Sequence, residues 1–133
     1  MKETKQKISK KIIALLTFGA IMVSPLVAQA ATKSFTFDME HQLSIGTYTS
    51  TKGSVTGTVN MESWGGDTYF TIHVYEKQNG SNVLITRLGF EKSTAGSPYV
   101  DTDDAVTTGH TYTYEIWKNM NGKRIKGSGT LSY

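Results

Sequence analysis

From Ser34 onward, apolar and polar side chains alternate along most of the chain. Phe35, Phe37 and Met39 form one such row, and Val55, Gly57, Val59 and Met61 a second. Phe70, Ile72 and Val74 form a third, and Tyr112, Tyr114 and Ile116 a later one. A period of two places one face of a strand on an apolar core and the other in water, the pattern of antiparallel sheets. Residues tolerant of positive φ interrupt the rows at Lys52-Gly53, Trp64-Gly65-Gly66-Asp67, Gln78-Asn79-Gly80-Ser81, Ala95-Gly96-Ser97-Pro98 and Asn121-Gly122. Asn79-Gly80 and Asn121-Gly122 carry the strongest hairpin signals, because two-residue primed turns require that backbone region. The spacing predicts strands over 34–40, 43–49, 54–62, 68–77, 82–90, 98–102, 110–119 and 124–132. Seven or eight short strands with turns every 8–12 positions predict an all-β, antiparallel two-sheet sandwich, with a small β-barrel as the alternative.

Composition supports strands over helices. Residues 31–133 contain 17 Thr, 12 Gly and 13 aromatics against only three Ala and four Leu. Thr, Tyr, Phe and Val suit a pleated, half-buried surface, whereas helices favour the Ala and Leu that are scarce here.

The first thirty residues follow a different logic. Lys2, Lys5, Lys7, Lys10 and Lys11 precede an apolar run, Ile12–Val23. Ser24-Pro25 breaks it, and Ala28-Gln29-Ala30 supplies small residues at the positions a signal peptidase reads. Residues 1–30 therefore read as a secretory signal peptide cleaved after Ala30, with 31–133 as a single secreted, extracellular domain. The run of twelve residues falls short of the roughly 20 that a membrane span needs. The lysine-rich leader resembles those of Gram-positive bacteria, which implies a bacterial source. Cutting the chain there changes its charge, since residues 31–133 hold nine basic and ten acidic side chains, a net of −1. A neutral domain lacks the basic patch that nucleic-acid binding needs. The absence of Cys excludes disulfides, thiolate nucleophiles and cysteine-ligated zinc.

The segment Val106-Thr107-Thr108-Gly109-His110-Thr111-Tyr112-Thr113-Tyr114-Glu115-Ile116 resembles the turn-into-strand corner of fibronectin type III and other immunoglobulin-like domains. The resemblance implies an immunoglobulin/fibronectin III-like sandwich. It also implies that Tyr112 is the corner tyrosine, its ring in the core and its hydroxyl bonded back to loop backbone. The chain departs from the family in having no Trp on strand 68–77 and very little proline.

Nothing in the sequence assembles a catalytic set. His41, His73 and His110 lie in separate segments, and no Ser sits in a Gly-x-Ser-x-Gly elbow. Glu62 with Asp67, and Glu76 with Glu115, are pairs that solvation accounts for. The chain reads as a non-enzyme that needs no cofactor, unless Asp101, Asp103 and Asp104 wrap a calcium ion.

The outward-facing positions suggest binding. Polar rows at Thr56, Thr58 and Asn60, at Thr111 and Thr113, and at Ser128, Thr130 and Ser132 keep the sheets wet. Tyr69, His73 and Tyr75 face away from the core on one strand, and Trp117 does so on another, with Trp64 in the glycine-rich turn before the first of them. Together these five predict an exposed aromatic platform, since flat rings stack on sugar faces or fill a partner's pocket. The expected function is that of a secreted binding module meeting a glycan, a cell-wall polymer or an extracellular protein. The alternative is a small secreted effector, either antibacterial or an inhibitor of an extracellular enzyme. Lys118, Lys123, Arg124 and Lys126 form the one basic cluster of the domain and read as a solvated turn guarding an edge strand, with contact to an anionic wall polymer or headgroups as the alternative.

Overall fold

The computed structural model describes residues 29–133. The signal-peptide expectation falls almost wholly on residues outside that range. Eight strands follow in order: β1 (Thr32–Met39), β2 (Gln42–Thr49), β3 (Val55–Ser63), β4 (Tyr69–Gln78), β5 (Ser81–Glu91), β6 (Tyr99–Asp103), β7 (Thr111–Trp117) and β8 (Ile125–Ser132). Each lies within two residues of the expected bounds. Among the described residues there is no helix, and so none long and apolar enough to cross a membrane.

The strands form two antiparallel four-stranded sheets, ordered β1-β8-β3-β6 and β2-β7-β4-β5. The architecture is therefore a sandwich and not a closed barrel. Its pairing is nested: β4 with β5, β3 with β6, β2 with β7 and β1 with β8. The chain thus behaves as one long antiparallel ribbon that folds over on itself, and the β3–β8 and β4–β7 pairings seal the fold. That order is the jelly-roll arrangement. It corrects the immunoglobulin-like expectation, in which the first two strands would share a sheet; here β1 and β2 lie in opposite sheets.

The corner itself forms as expected. Tyr112 is buried, and its hydroxyl accepts a 2.7 Å hydrogen bond from the Thr107 amide. A local corner satisfies one hydroxyl and one amide whichever strands lie beside it, so it carries no information about sheet order.

The two hairpin signals part ways. Asn79 (φ 51°) and Gly80 (φ 81°) close a two-residue turn between the paired Gln78 and Ser81. Asn121-Gly122 instead belongs to a crossing between sheets, because β7 and β8 do not pair with each other.

Between the sheets lie Phe37, Val59, Phe70, Ile72, Val74, Leu88, Phe90, Tyr114, Ile116 and Leu131, all buried. These include most of the positions that alternation assigned inward. Each such aliphatic or aromatic side chain contributes about 1.5–3 kcal/mol on leaving water.

Candidate functional site

The outer face of the β2-β7-β4-β5 sheet is ordered by register into cross-strand rows. Gln42, Trp117, Thr71 and Gly89 form one row. Ser44, Glu115, His73 and Arg87 form the next, followed by Thr47, Thr113, Tyr75 and Leu84. Side chains in one row stand about 4.5–5.5 Å apart at Cβ, close enough to interact. At the end of the sheet, the first two rows and the neighbouring loops enclose an open groove of about 520 Å³. Tyr69, His73, Arg87, Trp117, His41 and Met120 are among its walls.

Of the five expected platform residues, the fold brings three into this groove. Tyr69 is the open ring, 53% exposed, and it leans across β5 so that its hydroxyl lies over Gly89. Trp117 is half-buried within a cluster. The His73 ring stacks on it at 5.0 Å and 10°, and His41 meets it edgewise at 5.3 Å. Its indole N–H donates to Glu115 at 3.0 Å. Trp117 is thus a fixed wall of the groove, and Tyr69 is its most exposed ring.

Tyr75 stands one row back and does not line the groove. It supports the site indirectly, sharing a 2.8 Å hydrogen bond with His73 Nδ1. Trp64 departs from the expectation altogether. It is only 8% exposed and packs on Phe70 and Tyr99 at 5.7 and 5.3 Å. The turn after it explains the inversion, for Asp67 N–H bonds back to the Trp64 carbonyl at 2.8 Å. Gly65 (φ 58°) sits where a Cβ would collide with the Arg124 carbonyl. The glycine lets the turn press against the β7–β8 loop and drives the indole inward.

The loop side of the groove is held by Lys118. Its side chain is 0% exposed. Its ammonium donates to the carbonyls of Glu40 (2.7 Å), Asn119 (2.8 Å) and Lys123 (2.8 Å), and to Asn121 Oδ1 (3.0 Å). Asp67 Oδ2 lies 3.0 Å away as the counter-charge. Three connections, β1–β2, β3–β4 and β7–β8, are thereby gathered on one cation. Asn121 Nδ2 adds a 2.7 Å bond to the other Asp67 oxygen, and His41 Nδ1 donates to the Lys118 carbonyl at 2.8 Å. Burial alone pushes the Asp67 carboxyl pKa up. Hydrogen bonds from Asn121 and Lys118, with the charges of Lys118 and Lys123, outweigh it and hold the group below the ordinary value.

This arrangement corrects the expectation of a solvated basic turn at Lys118 only, for Lys123, Arg124 and Lys126 stay exposed, and it corrects the edge-strand role, since β8 lies between β1 and β3. Lys118 is enclosed, Arg124 pairs with Asp38 and Glu40 at 3.0 and 3.1 Å, and Lys126 pairs with Glu62 at 3.2 Å. Lys123 reaches the Gly66 carbonyl at 3.4 Å. The cluster is used mainly in tying loops and strand ends together.

The acidic run likewise serves the backbone. Asp101 accepts from the Gly89 amide at 2.8 Å and from the Thr102 amide at 2.9 Å, so it caps the free edge of β5. Asp103 accepts from the Ala105 amide at 2.8 Å. Neither these with Asp104 nor any other three His, Cys, Asp or Glu among the described residues converge as a metal would require.

Sequence reasoning missed Arg87, His41 and Met120. A β-bulge between Val74 and Tyr75 on one side and Thr86 and Leu84 on the other accounts for Arg87. Continued without a bulge from Gln78↔Ser81, the hairpin register would set Arg87 opposite Ile72, facing the core. The extra residue flips it to the outer face beside His73. His73 lies between Arg87 and Glu115. Burial and the Arg87 charge hold its pKa below the ordinary histidine value, partly opposed by Glu115.

No protein-family model matches the chain, and no curated protein matches it in sequence.

Proposed function

We propose that this chain is an exported, non-catalytic glycan-binding module whose site is the groove of Tyr69, Trp117 and His73. The observation that carries the reading is the meeting of an exposed ring, Tyr69, with a wall of stacked Trp117 and His73 in one open groove. A sugar ring offers an apolar C–H face bordered by hydroxyls. A flat aromatic side chain complements the face, and neighbouring amide, imidazole and guanidinium groups complement the hydroxyls.

The polar groups around the groove speak for binding over catalysis. Glu115 is occupied by the Trp117 indole, and Glu76, away from the groove, by His110 at 2.6 Å. His73 meets a hydroxyl, that of Tyr75, but burial and the nearby Glu115 push the Tyr75 pKa up, the wrong direction for a nucleophile.

Tyr69→Ala is the cleanest test, because its ring is mostly in water and its loss leaves the core intact. The variant should keep the wild-type melting temperature and lose retention on polysaccharide. Unchanged retention by Tyr69→Ala would reject the groove as the site. A protein ligand is the second reading, favoured by Met120, which stands 76% exposed on the groove rim and suits an adaptable apolar contact. Binding to an extracellular protein but to no polysaccharide, abolished by Met120→Ala, would select it.

A further inference from the structure

We propose that the groove selects a glycan carrying an oxyanion, either a carboxylate or a phosphate, and that Arg87 is the residue that reads it. The inference rests on the glycan-binding reading above and assigns its ligand class.

The argument is a charge count over the groove. Three lining residues carry permanent charge at neutral pH: Asp67, Lys118 and Arg87. Asp67 and Lys118 neutralise each other as an ion pair at 3.0 Å, and the three ammonium protons are shared among four carbonyl and amide oxygens. The Arg87 side chain is exposed and makes neither an ion pair nor a hydrogen bond among the described residues. One unspent positive charge therefore remains in the groove, and it belongs to the residue that the bulge turns outward.

The acidic neighbours do not cancel it. Glu115 shares its row but lies beyond His73, where it takes the indole N–H. Glu91 pairs with Tyr69 at the strand end, two residues past the Gly89 that separates it from Arg87. His73, whose protonation burial opposes, separates Arg87 from Glu115 without adding charge.

Geometry fits one saccharide unit. Tyr69 lies over Gly89, two residues from Arg87 on the same face of β5, a separation of about 7 Å. A pyranose stacked on Tyr69 would thus present a substituent of its ring to the guanidinium. The planar fork of Arg pairs with carboxylate or phosphate oxygens through two parallel N–H bonds, which a neutral sugar cannot accept in the same way.

Retention of the purified protein on immobilised polygalacturonate, on a glycerol-phosphate polymer and on neutral dextran tests the assignment. Wild type should bind one or both anionic polymers and not dextran, and the arm that binds identifies the oxyanion. Arg87→Gln should weaken that binding roughly ten- to hundredfold, and Arg87→Lys should recover only part of it. Lys33→Gln, which removes an exposed charge from the other sheet, should leave it unchanged. Equal binding to dextran, or an Arg87→Gln variant that binds like wild type, overturns the ligand class and leaves the glycan reading standing. An equal loss in Lys33→Gln also overturns it, since the attraction is then that of bulk charge. Binding to none of the polymers overturns both readings.

Discussion

Replacing Lys118 by Met keeps the length and apolar stem of the side chain and deletes only the ammonium. Four acceptors then lose their donor: the carbonyls of Glu40, Asn119 and Lys123, and the Asn121 amide oxygen. Asp67, whose side chain is only 11% exposed, keeps the Asn121 bond alone. Removing one partner of a buried pair costs about 3–5 kcal/mol, because the other charge stays out of water unpaired. Against a total of about 5–15 kcal/mol for a typical domain, the loss is severe. At about 4–5 °C per kcal/mol for a domain of this size, it lowers Tm by about 12–25 °C. Urea denaturation followed by Trp64 and Trp117 fluorescence should show a lower midpoint at unchanged slope. Asp67→Asn combined with Lys118→Met should cost less than the sum of the single changes, by at least about 1 kcal/mol. Acid adds a second signature. The Asp67 pKa is depressed in the folded protein, so its contribution is full above the unfolded value of about 4. In Lys118→Met the burial of Asp67 is no longer opposed by the ammonium, so its carboxyl takes up a proton at a higher pH than in wild type. The gap between the two proteins should therefore narrow on acidification, starting at the folded pKa of the variant and ending at the lower one of wild type. A loss below about 1 kcal/mol, the scale of an exposed ion pair, would refute the argument, since the cage would then be open to water.

Two tyrosines two residues apart should respond with opposite signs. Tyr112→Phe loses the bond from the Thr107 amide and should cost about 1 kcal/mol. Tyr114→Phe removes a buried hydroxyl without a partner and should be neutral or stabilising by up to about 1 kcal/mol; a larger loss for Tyr114→Phe than for Tyr112→Phe in the same urea titration would contradict both assignments. His73 supplies a pH signature. Its folded pKa lies below the ordinary value, so the unfolded chain binds more protons and stability rises with pH up to about 6.5. The advantage of wild type over His73→Gln should therefore shrink as the pH is lowered from 7 toward 5. Growth of that advantage on acidification would mean that attraction to Glu115 prevails over burial and Arg87.

How far each feature could be read in advance follows from the range of the interactions behind it. Strand positions and the two faces were readable because alternation is a property of neighbouring residues. Phe70, Ile72 and Val74 point inward and His73 outward, whatever lies beside the strand. The Asn79-Gly80 hairpin and the Tyr112 corner are equally local, and both form. Sheet order was not readable. The same corner serves an immunoglobulin-like or a jelly-roll sandwich, and only the long-range pairing of β1 with β8 and β2 with β7 separates them.

The candidate site divides in the same way. Alternation located Tyr69, His73 and Trp117 on one face, and the β4–β7 pairing made them neighbours. Trp64 looked exposed because it borders a glycine-rich turn, yet the turn's contact with Arg124 buries it. Arg87 depends on a single bulge residue, whose local trace is the switch of apolar parity along β5 from Val83 and Ile85 to Leu88 and Phe90. Lys118 resembles any lysine in a polar loop until three connections distant in sequence close around it. Strand boundaries and side-chain facing thus followed from short-range periodicity. Which strands met, which indole was buried and which cation stayed free depended on contacts between segments far apart in the chain, and local pattern carries no record of those.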